Sequence, residues 1–329
     1  MKVFITGATG AIGYWLIPQL KERGHEIVAS VRSTANAERL RPMGVESVIL
    51  DLLDPAAVQL AVSTSRADAI IHEATALAGV ANLKHFDRSF AHTNELRTRA
   101  TDHLVSAARA SGVRRLVAQS YTGWPYGRGG TLIKTEDDPL DPYPLPSMRE
   151  SLHAIKHLEH AVVGAGGIAL RYGAFYGAAD DPMLALVRKR MFPIVGDGGG
   201  VWSWVHLEDA AAATVLAIER GASGVYNIAD DDPAPAREWL PAIAEVIGAP
   251  APRRIPRFLA RLFAGEAVVS MMTEVRGVSS AKAKRELGWT PRHPTWRRGF
   301  AEAYGHLEPT RAGDARVDTT RATTQHAGA

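Results

Sequence analysis

The sequence predicts an α/β fold, a doubly wound parallel sheet with helices on both faces, followed by a smaller C-terminal lobe. Two observations carry this. Apolar runs of strand length lie at residues 3–5, 26–31, 47–50, 69–72, 115–119 and 168–171, and segments of helical length and spacing lie at 14–23, 56–63, 93–110 and 148–163. Such βα alternation builds parallel strands joined by crossover helices. The first run also passes directly into Gly7-Ala8-Thr9-Gly10-Ala11-Ile12-Gly13, a glycine turn that opens a helix.

That turn is the most informative local feature. Gly7 permits a tight turn after the opening strand, while Gly10 and Gly13 let phosphates approach the backbone and let the helix pack on the strand. The helix start supplies free N–H groups and a positive dipole end. This Rossmann-type arrangement is built for a dinucleotide pyrophosphate, with Gly7, Thr9, Gly10, Ala11, Ile12 and Gly13 as candidate contacts. The second strand ends in Val31-Arg32-Ser33-Thr34. A site selective for the unphosphorylated cofactor usually carries an acidic residue at that place to bind the ribose hydroxyls. With no carboxylate there, and with Arg32 beside two hydroxyls, NADP(H) is expected ahead of NAD(H). After Tyr176 the alternation gives way to Gly196-Asp197-Gly198-Gly199-Gly200, Trp202, Trp204 and a proline-rich stretch at 233–256. This region is expected to form a less regular lobe over the carboxyl ends of the strands, where open α/β sheets bind ligands.

The glycine spacing of three and three resembles the extended and atypical short-chain dehydrogenase/reductases, the NAD(P)-dependent epimerase/dehydratase-like group. Later segments agree: Asp51-Leu52, Ile70-Ile71-His72-Glu73-Ala74, Asn94, Arg171-Tyr172-Gly173, Trp204-Val205-His206-Leu207-Glu208-Asp209 and Glu286-Leu287-Gly288-Trp289-Thr290-Pro291. The resemblance covers residues 1 to about 300. It implies a dinucleotide-binding domain at 1–175, with residues 205–228 returning to its sheet edge as a helix and a strand. An interleaved substrate-binding lobe is implied at 176–306. The tail at 307–329 has almost no large apolar residues and is expected to be disordered. Asp51 and Leu52 resemble the adenine-contacting pair, with capping as the alternative role for Asp51. Glu73 and Ala74 fall at a strand end beside the cofactor. Relatives pair the helices corresponding to 93–110 and 148–163 into a four-helix bundle, so a homodimer is implied.

Reductases of this group pass a proton through a tyrosine whose pKa is lowered by a lysine four residues later, and a serine or threonine holds the substrate oxygen. Counting back from Tyr126-Gly127 selects Thr122 as that hydroxyl, with Ser120 second. Lys156 matches the lysine and should contact the ribose, but Leu152 stands at the tyrosine position. Leucine cannot move a proton. A substitute phenol is sought in Tyr121 and Tyr126, ahead of Tyr143; His153, or Lys156 with water, are the other repairs. Dehydratases of the group place an acidic pair after the threonine, where this chain has Gly123-Trp124, so sugar dehydration is not expected. Trp124, Trp202 and Trp204 suit a flat apolar ligand, with core packing as their other reading. Arg188-Lys189-Arg190 suits either a diphosphate or a solvated helix face. His206 and Asp209 are read structurally, with Asp209 capping a helix, and no metal constellation is found among the twelve histidines.

Bulk properties agree with an enzyme of small molecules. The 329 residues suffice for a large core, the formal charge of +3 is too small to argue for nucleic acid, and cysteine is absent. No signal peptide or membrane-spanning run is read, and a cytoplasmic location is expected. The expectation is an NADP(H)-preferring oxidoreductase moving hydride to or from a carbonyl or hydroxyl of a small organic molecule. The alternatives are a non-catalytic NAD(P)-binding regulator or scaffold, prompted by Leu152, and a nucleotide-sugar epimerase.

Overall fold

The computed structural model describes residues 1–77, 83–178 and 180–307. Residues 308–329, on which all but the first residue of the expected tail falls, lie outside the described residues.

Seven strands form the central sheet: β1 (Lys2–Thr6), β2 (Glu26–Val31), β3 (Glu46–Ile49), β4 (Ala69–His72), β5 (Arg115–Tyr121), β6 (Ile168–Tyr172) and β7 (Gly224–Ile228). They are parallel throughout, in the order β7-β6-β5-β4-β1-β2-β3. Strand order reverses at β1, so a crevice opens between the carboxyl ends of β1 and β4. The strands are apolar on both sides because helices cover both faces. On one face α1 (Ala11–Glu22) packs with a later, alanine-rich helix at Leu207–Arg220, burying Leu16, Ile17 and Leu20 against Val3, Ile5 and Ala213. On the other, α2 (Pro55–Ser65), α3 (Thr101–Ala110) and α4 (Arg149–Gly164) bury Val58, Leu104 and Leu158 against Phe4, Ile70 and Ala118.

Two local features depart from the expected pattern. A helix at Thr34–Leu40 follows β2, with the Ser33 hydroxyl accepting from the Asn36 N–H at 3.4 Å. Only Leu40 of this helix is buried, so the sequence holds no apolar period to announce it. The segment read as one helix at 93–110 is built of three pieces, with π-helical turns at Leu96–Ala100 between Ala91–Glu95 and α3. Beyond β6 the chain forms a lobe whose core is aromatic. Trp204, Trp239, Trp296, Phe300 and Tyr304 are all buried there, and Trp204 and Trp239 meet edge to face at 4.8 Å. Short strands Ala174–Tyr176 and Trp204–His206 pair in parallel and carry the chain from the sheet into this lobe.

Candidate active site

The glycine turn lies at the sheet's switch point. Gly7 has φ +80°, and a Cβ there would lie 2.5 Å from the carbonyl of Glu73, so β1 and the end of β4 approach at a distance only glycine permits. A Cβ on Gly13 would lie 2.0 Å from the Ala8 carbonyl oxygen. Gly10 donates its N–H to the Gly7 carbonyl at 2.9 Å and precedes α1 with no side-chain cap. Gly10 and Ala11 are exposed, Thr9 is half-buried, and Ile12 and Gly13 are buried. The uncapped first-turn N–H groups therefore open onto the crevice, while the Ile12 side chain packs into the core. This is the donor set and close backbone approach that a pyrophosphate requires, so the turn fits a dinucleotide. His72 Nδ1 meets Thr6 Oγ1 at 2.7 Å, locking the two strand ends; burial holds this imidazole down to about 4 and keeps it neutral.

At the expected adenosine end, Arg32 is exposed immediately after β2, while the Ser33 hydroxyl is engaged as the helix cap. Asp51 Oδ1 accepts the Leu53 N–H at 2.9 Å, a local turn that leads into Asp54, the cap of α2. Leu52 is buried, and its carbonyl accepts from His103 Nδ1 at 2.9 Å. Glu73 is buried beside the glycine turn. Tyr172 donates to its Oε1 at 3.2 Å, Oε2 has no partner among the described residues, and burial pushes the carboxyl up to about 8. Ala74 follows it, half-buried.

At the carboxyl end of β5 the candidate side chains separate into two groups. Thr122 is buried, its N–H is donated to the Tyr172 carbonyl at 3.0 Å, and its Oγ1 has no partner among the described residues. It lines a narrow cleft with Tyr121, Trp124, Trp202, Met271 and Val275. Tyr121 is half-buried, and burial pushes its phenol up to about 12 against the opposing pull of the Arg97 guanidinium. The other group faces α4. Ser120 donates to Glu159 Oε1 at 2.7 Å, and Arg171 donates to both oxygens of the same carboxylate at 2.7 and 2.6 Å. Tyr126 donates to Asn227 Oδ1 at 2.9 Å and accepts from Arg171 at 2.7 Å. Its phenol is thus fully engaged away from the cleft.

Leu152 is buried, two turns before Glu159 on the same face of α4. Lys156 is exposed and donates to the Asp141 carbonyl at 3.1 Å, which ties it to the connector after Tyr126. His153 is exposed on the outer face, 6.5 Å from the His157 ring, and Tyr143 is 82% exposed. Of the three tryptophans, Trp124 and Trp202 line the cleft, and Trp204 belongs to the lobe core.

Geometry corrects one further expectation. His206, not Asp209, caps the helix at Leu207–Arg220, its Nδ1 accepting the Glu208 N–H at 3.1 Å. Asp209 sits within the first turn and accepts the Arg292 and His293 N–H groups at 2.6 and 2.9 Å, pinning the following loop. His206, Glu208 and His293 approach one another closely enough to resemble a metal-binding group. A ring that accepts an N–H at Nδ1 carries its own proton on Nε2, so His206 has no lone pair to offer, and His293 is held between Glu208 and Glu302. Sequence reasoning missed Glu159 and Arg97. Glu159 lies one turn beyond Lys156 on the helix already singled out, but only Arg171 across the sheet gives it a role. Arg97 is a buried guanidinium whose Nε and Nη1 are unpartnered among the described residues. A larger hollow around Asp68, Arg114 and Gly166 lies at the amino-terminal ends of the strands and contains none of the candidate residues.

The chain is similar to known proteins. The model of the NAD dependent epimerase/dehydratase family matches residues 3–229. A Streptomyces protein named 3-diazoavenalumate denitrifying reductase is 40% identical over 310 residues, spanning 91% of this chain and 99% of its own. The 2-alkyl-3-oxoalkanoate reductase of Stenotrophomonas maltophilia is 29% identical over 270 residues, 76% of this chain and 77% of its own. Among solved structures, the UDP-glucose 4-epimerase of Thermus thermophilus in complex with NAD matches with a TM-score of 0.71 at 25% identity, covering 93% of this chain and 99% of that one.

Proposed function

This chain belongs to the NAD dependent epimerase/dehydratase family, and from that premise we propose that it is an NADPH-preferring reductase of a small aromatic molecule. When bound, the reduced nicotinamide supplies a hydride. The chain's residues do the rest. The first-turn N–H groups after Gly10 receive the pyrophosphate, Arg32 pairs with the 2′-phosphate, and Asp51 keeps a second carboxylate oxygen for the adenine amino group. Lys156, released from the Asp141 carbonyl, reaches the ribose. The buried, unpartnered Thr122 hydroxyl is the observation that carries the reading. An unmatched buried hydroxyl costs stability, and it is tolerated at a site where a substrate atom completes it. Trp124 and Trp202 offer flat walls that bury an aromatic ring beside it.

The Streptomyces relative extends this reading. It is matched over 99% of its length, and its name describes a denitrifying reductase of a diazo compound. By that relationship the substrate class proposed here is a diazo-bearing aromatic, ahead of a nucleotide sugar. The test is steady-state oxidation of NADPH with aromatic acceptors, comparing the wild type with Thr122→Val. The variant should lose about 10–100-fold in kcat/KM, the scale of one lost hydrogen bond to a charged or developing group. An unchanged kcat/KM in a folded variant would remove Thr122 from the site.

A further inference from the structure

The cleft has a hydroxyl to hold the substrate, and the tyrosine acid that the resemblance calls for is missing from α4. Leu152 is buried on the α4 face where the resemblance places the acid. The Tyr126 phenol is engaged by Arg171 and Asn227, Tyr143 points into solvent, and His153 lies on the outer face of the helix. Tyr121 lines the cleft without the lysine four residues on that the resemblance requires, and Lys156 is tied to the Asp141 carbonyl. Carbonyl reduction depends on such an acid. Hydride addition to a carbonyl carbon leaves a full negative charge on oxygen, and losing the positioned acid costs about 10²–10⁴-fold.

We infer that this site reduces an acceptor that takes up hydride without a proton, and that Leu152 makes it selective for the cationic arenediazonium group over neutral carbonyls. The inference rests on the reductase reading above. An arenediazonium already carries the positive charge that protonation would otherwise supply. Hydride forms an N–H bond at the terminal nitrogen, one π bond of the N≡N unit opens, and a neutral aryl diazene results. The diazene then gives up its N–H proton, the C–N bond breaks with its electron pair left on the ring carbon, N2 departs, and one proton is taken up at that carbon. The nicotinamide loses two electrons and the diazonium gains them. The sum is ArN2⁺ plus reduced nicotinamide giving ArH, N2 and oxidised nicotinamide, with no net uptake of a solvent proton. Thr122 Oγ1 positions the linear group, and Trp124 with Trp202 flanks the ring; a cation against aromatic walls is also favoured by their π faces.

Proton stoichiometry separates the two chemistries. Purified protein with NADPH is offered benzenediazonium, and in parallel benzaldehyde and acetophenone, in weakly buffered solution. NADPH oxidation, N2 release and proton uptake are followed above the protein-free rates. The expected result is one N2 per NADPH oxidised with no proton consumed, a rate changing less than about threefold between pH 6 and 8, and carbonyl turnover at least about 100-fold slower. Leu152→Tyr should raise carbonyl reduction about tenfold or more; a folded variant without that gain overturns the role given to Leu152. Since a buried leucine replaced by tyrosine risks misfolding, the wild-type stoichiometry decides independently. As a readout free of turnover, benzonitrile, a neutral linear isostere, should quench tryptophan fluorescence of the cofactor-free wild type and bind less tightly to Thr122→Val. Absence of quenching in the wild type counts against the seating of the linear group. Carbonyl reduction at a comparable rate, with one proton consumed per NADPH, overturns the inference and leaves the reductase reading standing. Turnover of neither class overturns both.

Discussion

Glu73 shows at the scale of one residue what burial does to a carboxyl group. Its pKa is raised from 4.5 to about 8 by burial, so the folded state holds a proton that the unfolded chain releases. The stability this group contributes is complete below about pH 4.5 and is lost as pH rises through about 8. Asp230, also raised to about 8, acts in the same direction. Glu73→Gln keeps an acceptor for the Tyr172 hydroxyl and abolishes the ionisation. Its Tm should exceed that of the wild type by a larger margin at pH 8.5 than at pH 5, read from thermal melts; equal margins would show that folding leaves the Glu73 pKa near its unfolded value. The position of Thr122 in the cleft was legible in the sequence because its place relative to Tyr126-Gly127 is a local property. The protonation of Glu73 was not, because it comes from burial in the folded protein, which the Tyr172 hydroxyl, 99 residues away, only partly opposes. Ser33 illustrates the same limit. Its hydroxyl was counted toward a phosphate, but the short polar helix that follows claims it as a cap.

The elements meet at a buried ion pair. Glu159 of α4 accepts from Arg171 of β6 through both oxygens and from Ser120 of β5, and Arg171 continues to Tyr126. Both charged side chains are under one-tenth exposed, so removing one strands the other in the interior. Arg171→Met should therefore cost on the order of 3–5 kcal/mol, and the double replacement with Glu159→Leu should recover part of that loss. Denaturant unfolding of the three variants measures it; a double variant no better than the single would show that the pair is not the coupling. Six of the seven strands were readable from their apolar runs, because that pattern survives in each buried element, whereas β7 was expected only from the family resemblance. The π-helical turns at Leu96–Ala100 left no such trace, since they alter hydrogen bonding without altering composition. Asp209 and His206 exchanged roles for a similar reason. Either residue type can stand at a helix start, and only the position of the first helical residue decides which one caps.

Two properties belong to the whole molecule. The first is assembly. Helices α3 and α4 present a shallow groove around Asp102, Val105, Arg109 and Ala161, bordered by the 2.8 Å contact between His157 and Asp102. Pairing this face with a second copy would form a four-helix bundle, and light scattering should give the mass of a dimer; a monomer at micromolar concentration would remove that proposal. The second is the division of labour between sheet and lobe. The glycine turn, Arg32 and Asp51 lie at the carboxyl ends of β1, β2 and β3. The cleft is closed by Trp202, Met271 and Val275 from beyond β6. Among the described residues no helix is long and apolar enough to cross a membrane.

We propose that this crevice holds a reduced nicotinamide dinucleotide and prefers the 2′-phosphorylated form through Arg32. Parallel titrations with NADPH and NADH, followed by nicotinamide fluorescence and by energy transfer from tryptophan, test it most directly. NADPH should bind about tenfold or more tighter than NADH, with the difference lost in Arg32→Ala. Equal affinities would contradict the role of Arg32, and binding of neither would contradict the reductase itself.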